Sequence, residues 1–141
     1  MLHHSERTLF ALDFHPDGEW LVVGGVGTGF VLHVSGDGRA FYELAAENIY
    51  DVAFSHDGTQ LAFAGGSSGS GIAFLEVVRW DDGQPLPPDP AYYEPVQFVG
   101  HQHAVFDVAF TPDGNLLSAS GDGTVRLWNV ESGEVLGFAG F

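Results

Sequence analysis

The sequence predicts an all-β chain built from antiparallel four-stranded units, and three observations carry that prediction. The first is a strand-and-turn phrase written three times, at residues 11–18, 51–58 and 107–114. Each copy is a short apolar run that ends in Phe (Phe14, Phe54, Phe110) and closes on an Asp-Gly pair (Asp17-Gly18, Asp57-Gly58, Asp113-Gly114). The second is punctuation: twenty Gly and seven Pro in 141 residues stand between runs of a few apolar residues. Proline presets and glycine accepts the backbone angles that turns demand. The third is the character of the runs themselves, short and rich in Val, Leu and Phe, so that no helix is predicted anywhere.

The last unit reads most clearly. Strands are expected at 105–110, 116–120, 124–130 and 135–138, separated by turns at Pro112-Asp113-Gly114, Gly121-Asp122-Gly123 and Ser132-Gly133. The first unit repeats the scheme at 9–14, 20–24, 29–34 and 40–44. The Asp-Gly pairs at Asp17, Asp57 and Asp113 lie 40 and 56 residues apart. The first spacing fits a repeat of roughly 40 to 45 residues, and the second needs an insertion. That insertion is the Pro-rich run 81–95, expected as a surface loop between the third and fourth strands of the second unit, with Tyr92 and Tyr93 pinned against its rim or exposed for contact. The expected division is therefore about 5–44, 45–99 and 100–141.

The residues of the last unit resemble a WD repeat, the unit of WD-type β-propellers. The matching residues are Gly100-His101, Thr111-Pro112-Asp113-Gly114, Ser118, Asp122-Gly123-Thr124 and Val125-Arg126-Leu127-Trp128, with Asn129 where the name-giving Asp usually stands. The resemblance implies three blades, and in the third a buried chain of hydrogen bonds through His101, Ser118, Asp122 and Trp128. An indole N–H needs an acceptor when buried, and a hydroxyl that accepts from it can donate to an imidazole. Superposed by sequence, the first blade carries Ser5, Val22, Val26 and Leu32 at these places, and the second carries Ala45, Ala62, Gly66 and Leu75. Both degenerate blades are expected to hold by packing alone, because losing all four partners strands no buried donor.

Three blades raise the question of closure. Propellers close with roughly four to eight blades, and an open arc leaves two apolar end faces bare. The expectation is head-to-tail association, a homodimer making six blades first and a homotrimer making nine second. The other course is that the chain is a piece of a longer propeller. The lack of a blade split between the two termini favours oligomerisation.

Composition limits the function classes. Nineteen acids face four Arg and no Lys, for a formal net charge of −15. Such a chain repels a phosphate backbone, so no nucleic acid is expected, although a basic partner or divalent cations are attracted. Many acids (Asp17, Asp37, Asp57, Asp81, Asp82, Asp113) fall in turns, where they keep the edges of a β-rich surface solvated. There is no Cys, and no run approaches a membrane span, so a cytoplasmic protein without a membrane partner is the default expectation.

The WD resemblance implies a non-catalytic scaffold for protein or peptide partners. The alternative is a lectin-like or small-ligand propeller. The candidate binding face contains Phe10, Tyr50 and Phe106, which share one repeat position on the innermost strands, together with His103, Glu47 and Asn48. The three aromatics serve either as inter-blade core or as a row at the channel mouth that stacks on a ligand. No enzyme is expected. Gly25 to Gly29 and Gly65 to Gly71 superficially recur to phosphate-loop composition but precede no helix, and the seven His show no zinc spacing. Neither a cofactor nor a metal is expected. Ser118, His101 and Asp122 are triad residue types, but a strand-bound, buried Ser118 lacks the exposure that a nucleophile needs.

Overall fold

A computed structural model describes residues 8–34, 40–45, 48–67, 72–81, 84–85 and 96–140. Thirteen strands run in chain order: β1 Leu9–Phe14, β2 Trp20–Gly25, β3 Thr28–His33, β4 Ala40–Ala45, β5 Asn48–Phe54, β6 Gln60–Ser67, β7 Ile72–Asp81, β8 Gln84–Pro85, β9 Val96–Gln97, β10 Val105–Phe110, β11 Leu116–Ser120, β12 Thr124–Trp128 and β13 Val135–Gly140. They form three antiparallel sheets in the orders β1-β2-β3-β4, β5-β6-β7-β8 and β10-β11-β12-β13, with β9 also paired to β7. The outer position of the second sheet is thus shared by two short pieces, and most of the Pro-rich run between them, Tyr92 and Tyr93 included, lies outside the described residues.

Two apolar clusters stack the sheets face to face. Trp20, Val22 and Val31 of the first sheet meet Val52, Phe54, Leu61 and Phe63 of the second. The other face of the second sheet, with Ala62, Ala64, Leu75 and Val77, meets Val108, Phe110, Leu116 and Trp128 of the third. At the second of these interfaces small side chains on one face receive larger ones from the next.

Local chemistry sets the registers. Phe14 pairs with Leu21 and Phe54 with Leu61, whereas Phe110 pairs with Leu116. The third hairpin is therefore one residue shorter than the others, although the sequence runs evenly through all three. The cause lies in the turn: Ser55 Oγ accepts the Gln60 N–H at 3.0 Å, while Thr111 Oγ1 accepts the nearer Asn115 N–H at 2.9 Å and closes one residue sooner. Because side chains alternate across a strand, this offset swaps the faces of every residue on β11 relative to β2 and β6. The strand β12 ends at Trp128 rather than at the expected residue 130, because Asn129 Oδ1 accepts the N–H groups of Glu131 and Ser132 at 3.0 Å each and turns the chain.

Candidate functional site

In the third sheet four side chains form a continuous chain. The Trp128 indole N–H donates to Ser118 Oγ at 2.8 Å, Ser118 Oγ lies 2.7 Å from His101 Nε2, and His101 Nδ1 lies 2.9 Å from Asp122 Oδ2. A neutral imidazole satisfies every link when Nδ1–H donates to the carboxylate and Nε2 accepts from the hydroxyl. Burial lowers the His101 pKa, outweighing the pull of Asp122. Burial also acts to raise Asp122. That is outweighed by hydrogen bonds from the Thr124 hydroxyl, the Gln102 N–H and His101, which hold the carboxylate far below its ordinary range. Ser118 is buried and its hydroxyl is taken on both sides, so the arrangement offers no exposed nucleophile.

The register offset corrects the reading of the other two sheets. By strand pairing, the place of Ser118 is held by Val23 and Phe63, not by Val22 and Ala62. The place of Trp128 is held by Leu32 and Val78, not by Leu32 and Leu75. Phe63 and Val78 are both buried in the first apolar cluster. Ser5 lies outside the described residues.

A second constellation crosses all three sheets. The Phe10 and Tyr50 rings have centroids 5.0 Å apart, and Tyr50 and Phe106 repeat that spacing, with interplanar angles of 46° and 51°. Phe10 and Phe106 are each 46% exposed and belong to neither apolar cluster. Each of the three is the extra residue of a β-bulge: the ladders shift register between Leu9 and Ala11, between Ile49 and Asp51, and between Val105 and Asp107. A bulge re-aims one side chain out of the pleat while its neighbours continue to alternate. Ile49 and Val52 can thus both face the core with Tyr50 standing clear between them. The sequence shows the shared position but not the bulge.

The surroundings hold this row in place. Asn48 Oδ1 accepts the Gly27 N–H at 3.0 Å, and Asn48 Nδ2 donates to the Tyr50 hydroxyl at 3.4 Å. Gly121 makes room for Phe106, since a Cβ there would stand 2.9 Å from the ring. His103 is exposed beside the same glycine, and its carbonyl accepts the Ser120 hydroxyl at 2.9 Å. Phe10, Tyr50, Phe106, Asn48 and His103 therefore gather at one end of the strands. Glu47 lies outside the described residues.

Three polar links between sheets escape a reading that assigns acids and His to solvated turns. Asp13 Oδ2 accepts the Phe54 N–H at 2.8 Å, and Asp51 Oδ2 accepts the Val108 N–H at 2.9 Å. His15 lies in a turn yet is buried, its Nε2 2.9 Å from the Gly58 carbonyl. Burial, reinforced by the neighbouring Asp107 carboxyl, raises the Asp51 pKa to about 6 against the pull of the Val108 N–H. Among the described residues, no group of three or more His, Cys, Asp or Glu is placed to hold a metal ion, and no helix is long and apolar enough to cross a membrane.

Stacked antiparallel sheets, each opening on a strand that runs into an Asp-Gly turn and one carrying a Trp-Ser-His-Asp chain, place the fold in the β-propeller class. The profile of the WD domain, G-beta repeat, matches residues 1–40 and 94–129, and the chain belongs to the WD40-repeat family. An uncharacterized WD repeat-containing protein of Synechocystis sp. is 32% identical over 130 residues, covering 89% of this chain and 33% of its own length. WD repeat-containing protein 18 of Bos taurus is 34% identical over 99 residues, covering 67% of this chain and 23% of its own. Denticleless protein homolog B of Xenopus laevis is 48% identical over 42 residues, which are 29% of this chain and 6% of that protein. In fold, the chain is similar to the crystal structure of the RRP9 WD40 repeats, with a TM-score of 0.77 at 21% identity over 99% of this chain and 41% of that one. The chain thus spans less than half the length of each of these relatives.

Proposed function

We propose that the three sheets are three blades of a propeller and that the chain is a non-catalytic scaffold that binds a protein or peptide on the end carrying Phe10, Tyr50 and Phe106. One observation carries this reading: three aromatic rings, each lifted from the pleat by its own bulge, form a surface row that the packing of the sheets does not consume. Aromatic faces of this size give a partner large contact area at little entropic cost, and such residues dominate binding energy in protein interfaces. Asn48 and His103 flank the row with a polar amide and an imidazole. In this reading the ring is closed by association of copies of the chain, two in all for six blades or three in all for nine.

The test is selection from a displayed random peptide library, followed by anisotropy titration of an enriched peptide. Phe106→Ala and Tyr50→Ala should each weaken binding about tenfold or more, the loss of a central aromatic anchor, while the melting temperature stays close to that of the wild type. Unchanged affinity in both variants sinks the proposal. Saturable binding of a sugar that competes at the same row moves the reading to a small-ligand propeller.

A further inference from the structure

The two joints between the sheets repeat one design. Each seats three residues of an innermost strand: Ile49, Val52 and Phe54 in the first joint are 0%, 3% and 7% exposed, and Val105, Val108 and Phe110 in the second are 0%, 5% and 7% exposed. The bulge registers put Leu9, Leu12 and Phe14 of the first sheet at these same positions. There they are 56%, 63% and 50% exposed. The first sheet thus displays the inserting half of a joint, with nothing packed over it among the described residues.

The opposite end displays the other half. In the second joint the seat is made by Ala53, Ala62 and Ala64, backed by Leu75 and Val77. Strand pairing places Ala109, Leu117 and Ala119, backed by Val125 and Leu127, at the corresponding positions of the third sheet. Ala109, Leu117, Ala119 and Val125 line a shallow depression of about 110 Å³, with Asp107 on the rim. Asp107 holds the repeat position of Asp51, whose carboxylate receives the Val108 N–H across the second joint. Leu12 holds the position of Val108.

We propose that these two faces are the two halves of a third joint, completed head to tail by a second copy of this chain: Leu9, Leu12 and Phe14 of one copy sit on Ala109, Leu117 and Ala119 of the next, and the Asp107 carboxylate accepts the Leu12 N–H. This rests on the propeller reading and adds to it which residues meet and in what sense. The occupant follows from the match: the first sheet presents apolar side chains at the three positions that are filled in both joints inside the chain, and the third sheet presents the small and apolar seat of the second joint, with Leu117 in place of Ala62. A contact between different faces of identical chains closes into a ring when the rotation allows.

The experiment measures mass by sedimentation equilibrium for the full chain and for Leu12→Glu and Leu117→Glu, whose parent side chains are exposed, so that each variant keeps its fold as read by the tryptophan near-ultraviolet signal. The wild type should be a dimer or trimer. Every joint needs one of each face, so each variant alone should be a monomer, whereas an equimolar mixture should form a dimer through the single joint left intact. Asp107→Ala should weaken wild-type assembly about tenfold, the loss of one charge-assisted hydrogen bond. A wild type that stays monomeric at every concentration overturns the proposal, as does a variant that keeps the wild-type mass. A mixture that stays monomeric overturns the head-to-tail pairing. None of these outcomes touches the peptide titration at the aromatic row, so peptide binding there stands or falls by itself, while ring closure by copies of the chain falls with this proposal.

Discussion

The second and third sheets solve one packing problem with opposite chemistry. Where the third sheet places Ser118 and Trp128 in a chain of hydrogen bonds, the second places Phe63 and Val78, and both pairs are buried against the preceding sheet. The polar solution has four mutually dependent parts, each of which becomes a liability if one is lost. The apolar solution has independent parts whose losses follow volume alone. The difference teaches that the hydrogen-bonded chain is one way of filling the space between sheets rather than a requirement for it.

The largest effect is expected where volume and polarity coincide. Trp128→Ala and Phe63→Ala should each cost about 3–5 kcal/mol of unfolding free energy in urea titration, and a loss below about 1 kcal/mol in either would mean that its joint is not anchored there. Ser118→Ala sharpens the contrast, because it removes almost no volume yet strands the Trp128 donor. It should cost about 1–3 kcal/mol; neutrality would show that the chain contributes nothing beyond packing.

The Asp-Gly turns give the next comparison. Gly58 and Gly114 both have positive φ, 75° and 89°. A Cβ on Gly114 meets open space, while one on Gly58 would stand 2.6 Å from His15 Nε2. Gly114→Ala should cost about 1–2 kcal/mol from backbone strain alone, and Gly58→Ala more, through damage to the link between the first two sheets. Equal midpoints for the two variants would deny His15 that role.

The smallest expected effect is in pH dependence. His101 has its pKa lowered from 6.5, so the folded state binds fewer protons than the unfolded one. Its contribution is full above about 6.5 and drains as pH falls. Asp51 acts in the opposite sense: raised from 3.8 to about 6, it favours the folded state below 3.8 and loses that contribution as pH rises toward 6. The denaturation midpoint should therefore change little between these limits in the wild type. Asp51→Asn should steepen the acid-side loss and His101→Gln should flatten it; parallel profiles for all three proteins would refute the assignment.

Much of this was legible in the sequence. The Asp-Gly turns and the first strand of each sheet follow from turn residues and apolar runs, and the Trp128 chain is what the resemblance of the last unit to a WD repeat implies. The partners of Trp128 in the second sheet were not legible. Equal residue counts after Asp57-Gly58 and Asp113-Gly114 conceal that a Ser hydroxyl and a Thr hydroxyl close their turns one residue apart. Asp13 and Asp51 were equally hidden, because an acid that meets a neighbouring sheet's amide looks in one dimension like any solvated charge. The aromatic row was half visible: its shared repeat position can be read from the residues, but only the ladder registers reveal why those rings leave the core.

The bulges also separate two kinds of inheritance. A residue within the pleat is bound to its neighbours by alternation, so changing it disturbs a joint between sheets. Phe10, Tyr50 and Phe106 stand outside that alternation. Each can be exchanged for another side chain while the residues before and after it keep their faces. The exposed row can thus diverge one position at a time while the architecture beneath it is kept by a separate set of residues.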